Sequence, residues 1–241
     1  FDLFKRLPRG ISLTPKGEEL VGAIKPAFAG LERKIDELRL SQSRTLTIGV
    51  TTYFASRWLS PRLMDFMRAH PDVRLRVQPM IDLLNLRTQG VDLAIRWGNG
   101  TWSDIETEQL FGCPAWPCGD ASALDEVRNL GLEAAFENLT LLRDREDSTA
   151  WSQWFRVAGL TYTSRADTLI IPDPNVRVQA VIDGQGVALN DALVDNELRA
   201  GSLHRLADAE LSDFGYHLAY PPDAMANPDV KAFADWLKQV V

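Results

Sequence analysis

The stretch LTIGVTTYFASRWLSPRLMDFMRAHPDVRLRV, Leu46 to Val77, decides the fold. LTIGV is a short apolar, β-branched run of the kind that forms a buried strand, and VRLRVQP (73–79) alternates like a second strand. Between them, residues 51–71 contain an amphipathic helix. The pattern continues outward: IDLLNLRTQG (81–90) reads as a short helix, VDLAIRWG (91–98) as a strand and EQLFGCPAWP (108–117) as an extended segment. A similar run follows, with LTLLRD, a helix at AWSQWFRVAG, DTLIIP, a helix from about Pro174 to Asp183, and GVALN. DFGYHLAYP (213–221) and an amphipathic helix in VKAFADWLKQVV close the chain. Strand and helix alternation of this kind predicts parallel α/β sheets. Two such runs joined by extended segments predict two lobes with a cleft between them, and clefts at strand carboxyl ends bind small ligands.

Composition sets the class. With 241 residues, 45% hydrophobic and 24% charged, the chain can bury a core, and no apolar run is long enough to span a membrane. Without an apolar leader before a small-residue cleavage site, it is expected to be cytoplasmic. Cys113 and Cys118, in CPAWPC, fit neither a CxxC redox pair nor half of a zinc site, and are expected to be reduced, half-buried thiols. The net charge of −7 hides an asymmetry: residues 1–44 carry nine Lys or Arg against six Asp or Glu, leaving −10 on the other 197. A basic head on an acidic body points only the head at a polyanion.

That head contains LPRGISLTPKG, a basic hairpin-like segment punctuated by Gly10 and Pro15. Thr14 can cap a following helix with Pro15 at its first position. Leu20, Ile24, Phe28, Leu31, Ile35 and Leu38 then form one apolar stripe to about Ser41, and Pro26 is expected to kink or break the helix. A lone helix cannot hide such a stripe. With its other faces charged, the favoured cover is the same helix of a second subunit.

Catalytic signals are missing. His70, His204 and His217 lie in no nucleophile or metal motif, and the Gly98-Asn99-Gly100 and Gly184-Gln185-Gly186 pairs read as turn glycines. Two helix starts carry more. Thr51 and Thr52 follow the LTIGV strand, and after IIP Asp173 stands at the N-cap with Pro174 first in the helix and Asn175 beside it, so each start either is simply capped or presents free amide donors and hydroxyls to a carboxylate in the cleft. Arg96, Trp97 and Trp102 end another strand at the cleft mouth, where Arg96 can clamp an anion or pair with Asp92 or Asp104. Trp151 and Trp154 read as packing residues.

These residues together resemble the LysR-type transcriptional regulators. LFKRLPRGISLTPKGEEL is similar to the element that ends the family's winged helix-turn-helix, and Leu46–Val77 to the first strand, helix and second strand of its effector domain. VDLAIRWGNGTW resembles the glycine-cleavage-activator and β-lactamase-inducer branch, while WSQWFRVAG, DGQGVAL and the late WL helix are weaker matches.

The resemblance implies an α/β fold with a two-lobed, periplasmic-binding-protein-like effector domain at 45–241, lobe I being 45–114 and 217–241 and lobe II 115–216. Residues 1–17 would be a wing remnant, the chain starting inside the winged helix-turn-helix, and 18–44 a linker and dimerisation helix. It further implies a ligand-responsive DNA-binding regulator that is no enzyme and takes no cofactor or metal. Its partners would be promoter DNA, a small effector such as an acid or amino acid derivative, and a second copy in a homodimer or homotetramer, with RNA polymerase an allowed further partner. Carried over by position, Thr51, Thr52, Tyr53, Arg96, Trp102, Asp173, Asn175 and Tyr216 would contact effector; Asn175 stands where the family often has a small hydroxyl residue. Lys5, Arg6 and Arg9 would reach DNA. The rival readings are a free-standing solute-binding protein of the same fold and a cleft enzyme; residues 1–44 oppose the first and the missing nucleophile and base oppose the second.

Overall fold

A computed structural model describes residues 2–7, 10–39, 44–80, 86, 88–102, 105–163 and 169–241. Strands β1 (Phe4–Leu7) and β2 (Gly10–Leu13) form the expected antiparallel hairpin, Phe4 opposite Leu13. The Thr14 hydroxyl accepts from the Gly17 amide at 3.1 Å and so caps α1 (Pro15–Arg39). Of the expected kink or break at Pro26, the break does not occur: α1 runs through it as one element, the proline removing a single N–H donor. Leu20, Ile24 and Phe28 remain exposed on α1, Phe28 by 60%, so the described part of the stripe is not covered by the rest of the chain.

The first lobe is built from β3 (Arg44–Val50), α2 (Thr52–Phe54), α3 (Leu63–Ala69), β4 (Val73–Pro79), β5 (Leu93–Gly98) and β6 (Glu106–Gly112). The second takes β7 (Ala115–Gly119), α4 (Ala121–Leu130), α5 (Leu132–Asn138), β8 (Leu142–Arg143), α6 (Ala150–Val157), β9 (Leu169–Ile170), α7 (Pro174–Ile182), β10 (Ala188–Asp191), α8 (Asp195–Ala200) and β11 (His204–Arg205). The chain then returns to the first lobe as β12 (Gly215–Tyr220) and α9 (Pro228–Gln239).

The sheets are mixed where alternation alone predicts parallel ones. In the order β4-β3-β5-β12-β6, the first three strands are parallel, but β12 pairs antiparallel with both β5 and β6 because it enters from the other lobe. The second lobe's β10-β7-β11 sheet is wholly antiparallel, beside a two-stranded parallel pair of β8 and β9. Helices α4 and α5 occupy a stretch for which the alternation supplied no expectation, with Asp120 capping the first and Gly131, at φ +82°, separating them. The expected helix at 81–90 falls largely outside the described residues.

The helical run after β3 changes pitch because of Pro61. It has no N–H for the carbonyl four residues back, so Ala55–Leu59 widens into a π turn, closed by the Ser60 amide on the Ala55 carbonyl. Ser60–Arg62 then tightens into a 3₁₀ turn. The face of this run packs Phe54, Leu59 and Phe66 against Ile48, Val50, Ile95, Leu218 and Phe233 in the first core. Trp151 and Trp154 pack, as expected, with Phe136, Phe155 and Val187 in a second core. A third core holds Cys118, Leu142, Val178, Ala188 and Leu203, together with Tyr53 from the first lobe. Both cysteines are free and fully buried rather than half-buried.

Two adjacent segments connect the lobes. The Cys113 amide donates to the Phe214 carbonyl at 3.0 Å, and the Leu211 amide to the Ala115 carbonyl at 2.8 Å. The crossing requires glycine at 215: a Cβ there would sit 2.4 Å from the Phe111 carbonyl oxygen.

Candidate functional site

The helix starts identified in the sequence meet across the lobes. Thr51 caps α2, its hydroxyl accepting from the Phe54 amide at 3.2 Å. Thr52 donates its hydroxyl to Asp173 Oδ2 at 2.8 Å and accepts from Asn175 Nδ2 at 3.2 Å. The other carboxyl oxygen of Asp173 accepts the Asn175 amide at 2.9 Å and the Val176 amide at 3.1 Å, capping α7. Of the two readings of this helix start, capping is the one the geometry shows: its amides are taken by the chain's own acid.

Arg57, one turn along from Tyr53, extends this contact. Its Nη1 donates to the Leu193 carbonyl at 3.0 Å and pairs with Glu197 at 2.8 Å, while its Nε lies 3.4 Å from Asn175 Oδ1. The guanidinium also covers the Tyr53 ring at 4.8 Å from its centroid. Deeper between the lobes, the buried Tyr53 hydroxyl donates to Asp191 Oδ1 at 2.6 Å, and the Tyr216 hydroxyl to Asp191 Oδ2 at 2.7 Å. The Leu193 amide adds a third donor at 2.9 Å. Asp191 and Tyr53 are 5% exposed and Tyr216 only 2%. Burial raises the Asp191 pKa against the lowering effect of its tyrosine donors. Burial, then the neighbouring Asp191, pushes both tyrosine hydroxyls well above their ordinary range.

Thr52, Tyr53, Asp173, Asn175 and Tyr216 thus belong to one inter-lobe network, with Thr51 at its edge. Arg96 and Trp102 form a separate group. The parallel register sets Val50 beside Ile95, so the chain reaches Arg96 next to Thr51 at the carboxyl ends of β3 and β5. There the Arg96 guanidinium lies 4.4 Å from the Trp102 ring centroid. Trp97 donates its indole N–H to the Cys113 carbonyl at 2.9 Å. Lys5 is exposed on β1, Arg6 pairs with Ile11 in the hairpin register, and Arg9 and the Arg6 side chain lie outside the described residues.

Sequence reasoning missed Arg57, Asp191 and Glu197. Asp191 carried a usable signal, an acid directly after the buried GVALN strand and before ALV, where a charged group needs partners. Arg57 carried none beyond being a base on a largely apolar helix face. Among the described residues no three His, Cys, Asp or Glu side chains are grouped to hold a metal, and no helix is long and apolar enough to cross a membrane.

The arrangement is two lobes joined by paired crossings, with hydroxyl, amide and charged side chains facing one another from opposed helix starts. Known proteins share both sequence and architecture. Residues 40–241 match the LysR substrate binding domain family. The chain is 33% identical to the HTH-type transcriptional activator AmpR of Citrobacter koseri over 98% of its own length and 81% of that protein's. It is 29% identical to the glycine cleavage system transcriptional activator of Escherichia coli K12, over 98% and 78% of the two chains. The effector domain of AmpR from Pseudomonas aeruginosa superposes with a TM-score of 0.71 at 29% identity, covering 82% of this chain and 94% of that one. CrgA, a LysR-type regulator from Neisseria meningitidis, shares the fold at a TM-score of 0.65 and 19% identity over 99% and 83%. The relatives are named as regulators and not as enzymes, and they favour regulation over free-standing solute binding. The chain belongs to the LysR-type transcriptional regulators.

Proposed function

We propose that this regulator binds a small effector between its lobes at the Thr51, Thr52, Tyr53, Asp173, Asn175 and Tyr216 group, with Arg96 and Trp102 at the mouth, and converts occupancy into altered promoter binding. The observation that carries this is the inter-lobe hydrogen bonding of Thr52 with Asp173 and Asn175, at 2.8 and 3.2 Å. Those bonds hold one lobe arrangement, and a ligand that inserts between them shifts the population only by binding another arrangement more tightly. In this reading, residues 1–17 carry DNA contacts through Lys5, Arg6 and Arg9, and 18–44 pair with the same helix of a second copy through Leu20, Ile24 and Phe28. Residues 45–241 are the effector domain, divided into lobes at 45–114 with 217–241 and at 115–216, the returning strand β12 entering the first-lobe sheet two residues earlier, at Gly215.

The test is a reporter driven by the promoter this protein regulates, compared across growth media in cells making wild type, Thr52→Val or Asn175→Ala at matched protein levels. Output in the variants is expected to lose its dependence on medium while basal expression persists. Variants that track wild type in every medium would show that effector is not sensed through this group.

A further inference from the structure

The inter-lobe network leaves one built feature unexplained. Trp102 folds back onto β5 because Gly98 presents only hydrogen to it; a Cβ there would lie 2.7 Å from the indole. The same indole meets His217 of β12 in a T-shaped contact, with ring centroids 5.5 Å apart and planes at 80°. Two strands of the first lobe, β5 and β12, thus hold the indole as a platform, and the Arg96 guanidinium lies over it, 4.4 Å from the ring centroid. The described residues give the Arg96 guanidinium no hydrogen bond and no ion pair. Its charged neighbour is Arg145 of the second lobe, itself paired with Asp144 and Asp147. Burial first and Arg145 second bring Arg96 down to about 10. A positioned, partly desolvated cation whose fork of donors is unused among the described residues is poised for a planar or tetrahedral anion.

The other place an anion would be sought is the start of α7. It is already filled, since the Asp173 carboxyl takes the Asn175 and Val176 amides at 2.9 and 3.1 Å, and a ligand anion there would face that acid. We propose that Arg96 on its Trp102 platform is the anion subsite of the effector cleft, taking a carboxylate or phosphate group of the ligand. This rests on the effector reading of the cleft and adds to it the class of one ligand group and its location.

The experiment titrates the protein with sodium phosphate and with sodium acetate, each at ionic strength held constant with sodium chloride. It follows tryptophan fluorescence and the thermal midpoint, with Trp102→Phe identifying the reporting indole. Wild type is expected to respond saturably to at least one anion; phosphate alone or acetate alone fixes the class. Arg96→Gln is expected to weaken that response at least about tenfold, the loss of a charge-assisted pair. Arg96→Lys, which keeps the charge without the fork, recovers part of it and guards against a folding artefact in the glutamine variant. A wild type saturable by neither anion, or an Arg96→Gln curve superimposed on wild type, overturns the subsite. If Thr52→Val still uncouples the reporter in that case, the cleft stands as the effector site and only the anion assignment falls.

Discussion

Replacing Asp191 by alanine is the most demanding perturbation of this architecture. The carboxyl group accepts from Tyr53, Tyr216 and the Leu193 amide at 2.6, 2.7 and 2.9 Å, and joins a strand end of the second lobe to a helix and a strand of the first. Truncation leaves three donors without partners, two of them on tyrosines exposed by 5% and 2%. An orphaned buried donor costs ~1–3 kcal/mol, and water entering the vacated space re-pairs some of them, so Asp191→Ala is expected to lose ~3–5 kcal/mol. That is a large share of the ~5–15 kcal/mol that holds a domain together. Tyr216→Phe, which removes one donor to the same carboxyl, is expected to lose ~1–2 kcal/mol. The assay is urea denaturation at fixed pH, repeated from pH 4 to 8. Burial raises the Asp191 pKa above its ordinary 3.8, so across the window above 3.8 the folded state binds the proton that the unfolded state has released. The contribution of Asp191 is thus fully present below 3.8 and declines as pH rises through its folded value. Wild type should lose stability relative to Asp191→Asn, which cannot ionise, as pH increases. A loss below ~1 kcal/mol in the alanine variant, or a wild-type to asparagine difference that is flat in pH, would refute the reasoning.

Two further predictions concern the crossings and the thiols. Gly215→Ala should lower the thermal midpoint by several degrees or prevent folding, because its Cβ would stand 2.4 Å from the Phe111 carbonyl in a backbone that cannot give way; a midpoint within a degree of wild type would mean that the crossings are looser than described. Burial pushes both Cys113 and Cys118 up to about 12, so an aromatic disulfide reagent at pH 8 should modify neither thiol in the native protein and both in urea; rapid native labelling would show the hinge opening under mild conditions.

What could be read from the sequence followed from periodicity and capping chemistry, which act over a few residues. The Asp173-Pro174-Asn175 start of α7, the Thr14 cap of α1 and the LTIGV strand all stand where local rules put them. Partner choice over long separations could not be read in this way. Thr52 and Asp173 are 121 positions apart and Tyr53 and Asp191 138, and nothing local says that the second oxygen of Asp173 will take the Thr52 hydroxyl of the other lobe. Tyr216 shows the same limit: its place on the returning strand is legible, but its burial depends on an acid from the other lobe. Strand direction failed for a related reason, since alternation describes each lobe separately and β12 belongs to the lobe that the chain had already left.

The order of residues along α2 ties the Thr52–Asp173 contact between the lobes to the crossings. Thr52 reaches forward to Asp173 in the cleft, while its neighbour Tyr53 reaches back to Asp191, whose other oxygen holds Tyr216 one residue past the Gly215 crossing. Arg57, about one turn further along the helical run, grips Leu193 and Glu197 just beyond Asp191. A displacement of α2 that frees Thr52 from Asp173 must therefore also strain or release contacts with the segment 191–197. Such coupling needs no long pathway, because one short helix carries both sets of contacts. Its limit is energetic: reversing a 99:1 preference between lobe arrangements takes ~5.5 kcal/mol of differential binding. A neutral ligand that merely replaced the Thr52–Asp173 and Asn175–Thr52 hydrogen bonds, at ~1 kcal/mol net each, would fall well short. The remainder has to come from a charged interaction or from apolar burial, and the anion subsite proposed at Arg96 would supply the first, beside the helix start that moves in that reading.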